Sequence, residues 1–304
     1  MINKKTVLVL GAGASKPYGL PTGEELKDFI ISQTFTSSDH SVYYSKLGIS
    51  DKKLRSFVHS LRMSSTSSID EFLEDRDEFT KVGKLAITRA LIRCENENVL
   101  VDTRDWYQHL FRKMVAYGSF EKFDQNKISI VTFNYDRSLE HFLFTSLQNK
   151  YGKSKKKCAD KLNKLPIVHV HGQIGNLPWQ GSRYTRPYNT HLDTYSLNKS
   201  SLGIGVIHES DKTDPKFKKA HELLTKAERI YFLGFGYHPV NLTRLKIRSL
   251  PLPDAKFVLG TSLNKTDRER KSIQISVDNK ISLLRFSPRS IPIYDFLREH
   301  VSLE

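Results

Sequence analysis

The chain opens on a short apolar run, Thr6-Val7-Leu8-Val9-Leu10, that passes directly into Gly11-Ala12-Gly13. A run this short and this apolar reads as a strand buried on both faces. The glycines at its end permit a tight turn and close backbone approach. A helical pattern follows. Thr22 is a candidate N-cap, Glu25 sits three residues on, and Leu26, Phe29 and Ile30 recur at helical spacing. Strand, glycine turn and helix in that order form the opening unit of a parallel α/β sheet.

The alternation returns in the second half. Ile128–Thr132, Ile167–Val170, Arg229–Leu233, Ala255–Leu259 and Ile281–Phe286 read as strands, and Ile204–Ile207 as a weaker one. Helices are expected around Ala220–Ala227 and over Ile293–His300. The expected fold class is α/β, a Rossmann-like, doubly wound and mostly parallel sheet. Residues 1–304 are read as one domain without internal repeats. Two strands end in Gly234-Phe235-Gly236 and Gly260-Thr261-Ser262, and the carboxyl ends of strands are where open α/β sheets bind ligands.

Such a sheet does not need the stretch over about residues 36–125, which reads as a helical insertion. A helix is expected at Leu54–Leu61. Ser68 is expected to cap one long helix carrying Ile69, Phe72, Leu73, Val82, Leu85, Ala86 and Leu91. A further helix runs through Trp106, Leu110, Phe111 and Met114. The insertion is expected to cover the ligand cleft or to form an assembly surface.

Composition excludes several classes. Hydrophobic residues make up 38% and aromatics 11%, enough for a real core. No apolar run approaches the roughly 20 residues that span a bilayer. The run after Met1-Ile2-Asn3-Lys4-Lys5 is ended by Gly11 too early for a signal peptide. A cytoplasmic protein with no membrane partner is expected. Cys94 and Cys158 are the two cysteines. They form no CxxC pair, so a four-cysteine zinc module is excluded within this chain.

The net charge is +15, and part of it is local: Lys150, Lys153, Lys155, Lys156, Lys157, Lys161 and Lys164 lie close together. They read as an exposed basic loop over about 150–165. Such a surface suits an acidic protein, an anionic ligand or a nucleic acid, or is simply solvated. It lacks interleaved aromatics for stacking single-stranded bases.

Three segments can carry chemistry. The first is Gly11-Ala12-Gly13-Ala14-Ser15. Lys16 stands where the dinucleotide fingerprint has its third glycine, so this is not the dehydrogenase pattern. It is either a plain turn or a phosphate cradle. The second is Thr132-Phe133-Asn134-Tyr135-Asp136, which by composition alone is a strand-end turn. The third is Val168-His169-Val170-His171-Gly172. If the strand continues, its two histidines share one face. No third ligand is evident beside them, so no metal is expected. Imidazole suits proton transfer near neutral pH.

Taken in order, these segments resemble the NAD site of the sirtuin-like superfamily. Gly19-Leu20-Pro21-Thr22-Gly23 is similar to the version found in bacterial sirtuin-like (silent information regulator) NADases of antiphage defence; protein deacetylases continue instead with a Pro-Asp-Phe-Arg segment. The resemblance implies NAD+ as substrate. The glycine loop with Gly11, Ala12, Gly13 and Ser15 would hold its pyrophosphate, and Thr132 would also belong to the NAD site. Gly234 and Gly236, with Gly260 and Thr261, would hold the adenosine side. Asn134 would lie beside the nicotinamide ribose and orient a water, while Asp136 would contact or support the nicotinamide amide. His171 would be the general base toward the ribose hydroxyls, with His169 structural or supporting. The missing zinc cysteines shift the reading from deacetylation to hydrolysis of NAD+ to nicotinamide and ADP-ribose. The family also implies an abortive-infection effector that is silent until a partner or ligand activates it. A homo-oligomer is expected, or a complex with a ring ATPase, an Argonaute-like protein or a nucleotide-processing protein. The alternatives are a protein deacylase or ADP-ribosyltransferase using the same site, a nucleic-acid-binding module with an inactive NAD fold, and a passive NAD or nucleotide sensor.

Overall fold

The computed structural model describes residues 1–36, 39–206, 214–250, 257–277, 284–287 and 290–304, and for 34–36 and 39–42 the backbone alone. Six strands form one sheet: β1 (Thr6–Leu10), β2 (Ile128–Thr132), β3 (Ile167–His169), β4 (Arg229–Leu233), β5 (Phe257–Gly260) and β6 (Leu284–Phe286). Their order is β3-β2-β1-β4-β5-β6, and every pairing is parallel. This is a Rossmann-like α/β sheet. The chain winds outward from β1 to β3, then returns to the other side of β1. Leu10 stands level with Thr132 and with Leu233. The turns that leave these strands therefore meet at the point where the winding reverses, the crevice in which such sheets bind ligands.

Among the described residues seven α-helices lie between β1 and β2: α1 (Gly23–Thr36), α2 (Asp39–Lys46), α3 (Asp51–Met63), α4 (Ile69–Glu74), α5 (Thr80–Cys94), α6 (Glu97–Asp102) and α7 (Trp106–Val115). α8 (Ser138–Tyr151) and α9 (Lys155–Leu162) connect β2 to β3, and α10 (Thr194–Ser201) and α11 (Pro215–Lys226) lead to β4. α12 (Pro239–Arg244), α13 (Asp267–Val277) and α14 (Ile293–Glu299) follow β4, β5 and β6 in turn.

The alternation of β1 side chains divides the core. Leu8 and Leu10 pack with Trp106, Tyr107, Leu143 and Phe296 on one face. Val7 and Val9 pack with Phe217, Ala220 and Leu224 on the other. The helical insertion has a third core of its own, built on Leu54, Phe57, Phe72, Phe79 and Leu85. That core takes in Leu26 and Ile30 of α1, and it also holds Tyr135 and Ile174, so the insertion is anchored on the segment just past β2.

Several sequence expectations are corrected. Ser68 does cap a helix, its hydroxyl accepting from the Glu71 N–H, but the long helix is broken. α4 ends at Glu74, and a 3-10 turn over Asp77–Phe79 folds Phe79 against Phe57 and Phe72, with centroids 5.7 and 5.9 Å apart. The expected basic loop is helical. Gly152, at φ 60°, ends α8, Ser154 caps α9, and Cys158, Ala159 and Leu162 bury one face hidden within the lysine run. β3 stops at His169, not Val170. Ile204 makes only one antiparallel bridge, to Gly172, and no strand. Ile207, 255–256 and 281–283 lie outside the described residues.

Candidate active site

The glycine turn after β1 meets the turn after β4 backbone to backbone. The Gly11 N–H donates to Leu233 O at 3.1 Å, and the Gly13 N–H donates to Gly234 O at 3.0 Å. A Cβ on Gly11 would lie 2.6 Å from Gly234 O, and one on Gly234 would lie 2.2 Å from Ala14 N. Gly234 also takes φ 57°, a left-handed conformation open to glycine. The Ala14 and Ser15 N–H groups close the turn onto Gly11 O and Ala12 O. The N–H groups of Gly11, Gly13, Ala14 and Ser15 are thus committed within the protein. The absence of side chains at Gly11 and Gly13 is accounted for by this contact. Trp106 adds a brace, its indole N–H donating to Ala14 O at 2.8 Å.

Behind this turn Asn134, Ser15 and Asp136 form one buried network. The Asn134 Nδ2 donates to Gly11 O and to Ser15 Oγ, each at 3.0 Å. A backbone carbonyl can only accept, so the amide orientation is fixed. Asn134 Oδ1 is left without a hydrogen bond among the described residues. Thr132 Oγ1 accepts the Asn134 N–H at 3.1 Å and shapes the turn. Ser15 Oγ donates to Asp136 Oδ2 at 2.7 Å, and the other Asp136 oxygen accepts from the N–H and hydroxyl of Ser138. Burial raises the Asp136 carboxyl above its ordinary range, with the Ser138 and Ser15 hydrogen bonds opposing. Asp136 therefore supports Asn134 and Ser15, and both its oxygens are engaged.

The two histidines part company. β3 ends at His169, and the Gly172 N–H closes back onto His169 O at 3.0 Å. His169 turns toward α8, with Nδ1 2.8 Å from Asn134 O and Nε2 2.5 Å from Glu140 Oε1. Burial opposes its charged form, but the Glu140 carboxylate outweighs burial and its pKa is raised. His171 faces the opposite way, edge-on to Phe133 and Phe217 at 5.5 Å each. It is 5% exposed, and neither ring nitrogen has a hydrogen-bond partner among the described residues. Burial and then the Arg244 charge lower its pKa to about 4, against a smaller opposing pull from the nearby Asn241. The Asn241 Oδ1 is also buried without a partner. The Asn241 side chain is thus close enough to pull on the ring, yet neither group reaches hydrogen-bond geometry with a partner, and a neutral imidazole so placed can meet hydroxyl groups of a ligand.

Asn134, Asp136 and His171 line one cleft of about 280 Å³ with Gly11, Ala12, Phe235 and Gly236. That size is at the low end for small-molecule sites. Gly13, Ser15, Thr132, Gly234, Gly260 and Thr261 do not line it. Thr261 ties β5 to the β4 turn: its Oγ1 accepts the Gly234 N–H at 2.9 Å, and its carbonyl accepts the Tyr237 hydroxyl at 2.9 Å. A Cβ on Gly260 would fall on that same hydroxyl. A larger cavity of about 830 Å³ runs along the edge strand β3 past Glu140, His169, Gln173 and Trp179. It takes in neither Asn134 nor His171, so volume and chemistry do not coincide here, and the chemistry marks the smaller cleft.

The far wall was not visible in the sequence. Asp70, Glu71 and Glu74 of α4, with His238 and Asn241 beyond β4, complete the cleft. The polar face of α4 opposite Ile69, Phe72 and Leu73 reads as solvated in sequence; the one signal is the Asp70, Glu71, Glu74 stripe at helical spacing. Tyr135, between Asn134 and Asp136, donates its hydroxyl to Asp70 Oδ1 at 2.5 Å. The next residue after Asp136, Arg137, is wholly buried and forks onto Glu95 at 2.8 and 3.1 Å. Arg186 joins the same carboxylate at 2.7 Å. One segment thus binds the sheet to the insertion at both α4 and the end of α5.

Among the described residues no group of three or more His, Cys, Asp or Glu is arranged to hold a metal ion, and no helix is long and apolar enough to cross a membrane. No protein-family profile and no curated protein matches the chain. Several solved structures are similar to it, two of which are Sir2 proteins. Sir2Tm bound to a propionylated peptide shares 12% identity over 96% of this chain and 90% of that one, at a TM-score of 0.38. A Sir2 point mutant with a p53 peptide and NAD shares 14% identity over the same shares of the two chains, at a TM-score of 0.36.

Proposed function

We propose that this chain is an NAD+ glycohydrolase, releasing nicotinamide and leaving ADP-ribose, and that it serves as the effector of an antiphage system switched on by a partner or ligand. The observation that carries the chemistry is His171: neutral, 5% exposed and unpartnered, in a cleft at the reversal point of a Rossmann-like sheet. Burying an imidazole with both nitrogens unsatisfied has a cost that a bound polar ligand would relieve. The ribose hydroxyls of a nicotinamide riboside unit supply such partners. Asn134 Oδ1, fixed by the two bonds its Nδ2 makes, accepts from the attacking water. The C–N bond breaks with its electron pair passing to the nicotinamide nitrogen, which cancels the positive charge of the ring, and water captures the sugar cation. The cleft accommodates the nicotinamide ribose end, and the rest of the dinucleotide extends past Ala12 and Gly236.

The test is nicotinamide release from NAD+ by the wild-type chain, alone and with co-purifying partners, beside Asn134→Ala and His171→Ala. Each substitution is expected to lower the rate by at least about 10²-fold without loss of cooperative unfolding. Wild-type rates in both variants overturn the reading.

A further inference from the structure

The chemistry assigned above leaves one step without an agent. Hydrolysis of a glycosidic bond needs a group that removes a proton from the attacking water. Asp136 cannot serve, because Ser15 and Ser138 occupy both its oxygens. Glu71 is the weaker base, because the N–H and hydroxyl of Ser67 both donate to its Oε2 at 2.7 Å and hold its carboxyl below the ordinary range. His171 is assigned to the ribose hydroxyls. Glu140 is turned to His169 and lines the other cavity.

Asp70 remains. It stands half-buried at the start of α4, lining the same cleft as Asn134 and His171. The Tyr135 hydroxyl holds one of its oxygens, and Tyr135 is the residue next to Asn134. A single strand-end turn therefore places both the amide that orients the water and the phenol that fixes the carboxylate. A carboxylate in a cleft is not by itself a site. The second observation is the buried, unpartnered imidazole of His171, 5% exposed and lining the same space, which calls for a ligand there.

We propose that Asp70 is the general base of the hydrolytic step, supplied by the helical insertion to a sheet that carries the rest of the site. This rests on the NAD-hydrolysing reading and completes it. The new bond joins the water oxygen to the anomeric carbon, and the broken bond is that carbon to the nicotinamide nitrogen, which keeps the electron pair. The water proton passes to the Asp70 carboxylate and then to solvent. No oxidant, metal or further reactant enters the balance. Burial holds the Asp70 carboxyl above the ordinary carboxylate range, with the Tyr135 hydrogen bond pulling it down and Glu74 pushing it up. A base of raised pKa is better matched to proton transfer near neutral pH. The other titratable groups facing the cleft are Glu71 and Glu74 on the same helix, Asp136 after β2, His171 after β3 and His238 before α12.

The experiment measures nicotinamide release against pH for the full chain, with NAD+ affinity by calorimetry and cooperative thermal unfolding on each variant. Asp70→Asn is expected to lower turnover by at least about 10²-fold, to bind NAD+ within a few-fold of wild type, and to lose the acid limb of the profile that lies above the ordinary carboxylate range. Tyr135→Phe is the second variant. It removes the bond that lowers the Asp70 pKa, so that limb should move to higher pH while activity persists at the alkaline plateau. A merely structural Asp70 would not produce this movement. Wild-type turnover matched by Asp70→Asn, or a Tyr135→Phe profile with an unmoved acid limb, overturns the proposal while leaving NAD+ hydrolysis standing. Absence of nicotinamide release from the wild-type chain under every activating condition overturns both.

Discussion

The Gly13 amide donates to the Gly234 carbonyl at 3.0 Å, and the α-carbon of Gly234 lies 3.0 Å from where a Gly13 Cβ would stand. This contact joins the turns after β1 and β4 across the point where the sheet reverses. It makes the glycines structural first, whatever ligand passes over them.

Gly234 and Gly236 should therefore respond oppositely to substitution. Gly234→Ala forces a Cβ to 2.2 Å from Ala14 N and into φ 57°. A loss of stability on the order of 3 kcal/mol is expected, read as a fall in the denaturation midpoint. Gly236 lines the cleft, and among the described residues no heavy atom beyond its chain neighbours stands within 4 Å of the place its Cβ would take. Gly236→Val should unfold like wild type yet bind NAD+ at least about 10-fold more weakly, since its side chain would project into space the ligand needs. Unchanged affinity in that folded variant would show that the cleft is not the dinucleotide site.

How much of this was legible follows from which forces act locally. The strand Thr6–Leu10, its glycine turn and the Thr22–Glu25 cap pair are set by short-range pattern, and the cap appears as read, with the Thr22 N–H 2.9 Å from Glu25 Oε2. The Asn134 and His171 positions were reached through motif resemblance; the cleft brings both together. Other features were invisible because they depend on contacts distant in sequence. Asp70 meets Tyr135 across 65 residues, and Arg137 meets Glu95 across 42. Strict alternation failed at His169 and His171 because the chain turns at Gly172 to meet Gly203, a closure no local period encodes. The lysine run hid α9 because its three small or apolar anchors are outnumbered by charge.

Ser15 is expected to show its role through pH. Its hydroxyl donates to Asp136 and accepts from Asn134. Ser15→Ala removes one of the bonds that hold the buried carboxylate, and a loss of about 1–3 kcal/mol is expected at pH 7. The folded-state pKa of Asp136 is already raised, and losing this donor raises it further. With a raised folded pKa the native state binds the proton more tightly than the unfolded chain, so stability is gained as pH falls through that value. The difference between Ser15→Ala and wild type should then narrow from pH 7 toward about pH 5. Urea midpoints at the two values measure it, and a constant gap would remove Asp136 from the argument.

His169 makes the opposite case. Both its partners, the Asn134 carbonyl and the Glu140 carboxylate, only accept hydrogen bonds. Both ring nitrogens must carry protons to satisfy them, so the fold favours imidazolium, and the pKa stands above the ordinary 6.5. The sign follows: this stabilisation is fully present below about 6.5 and is lost as pH rises through the folded value. Stability is expected to decline across that window. In Glu140→Gln the decline should flatten, because the carboxylate that raises the pKa is gone. Denaturation midpoints from about pH 6 to about pH 9 decide this, and parallel slopes in the two proteins would refute the charged pair.

The lysines on α9 bear on the partner proposed for activation. Lys161 and Lys164 are spent on Asp124 at 2.7 and 2.8 Å. Lys155, Lys156 and Lys157 are exposed in the first turn of α9, where the helix dipole disfavours positive charge by about 0.3–1 kcal/mol per residue. Three cations in that position are not explained by the stability of the helix. Reversing them to glutamate, Lys155→Glu, Lys156→Glu and Lys157→Glu together, should leave the protein as stable as wild type or slightly more so. If they meet an acidic subunit or a nucleic acid, the same variant should lose activation by that partner while keeping the basal rate and NAD+ affinity of the isolated chain. The wild-type association should also weaken with salt, since screening acts over about 8 Å at physiological ionic strength. Pull-down with the co-purifying partner at low and high salt, together with nicotinamide release, reads both effects. Full activation of the charge-reversed variant would place the docking surface elsewhere on the molecule.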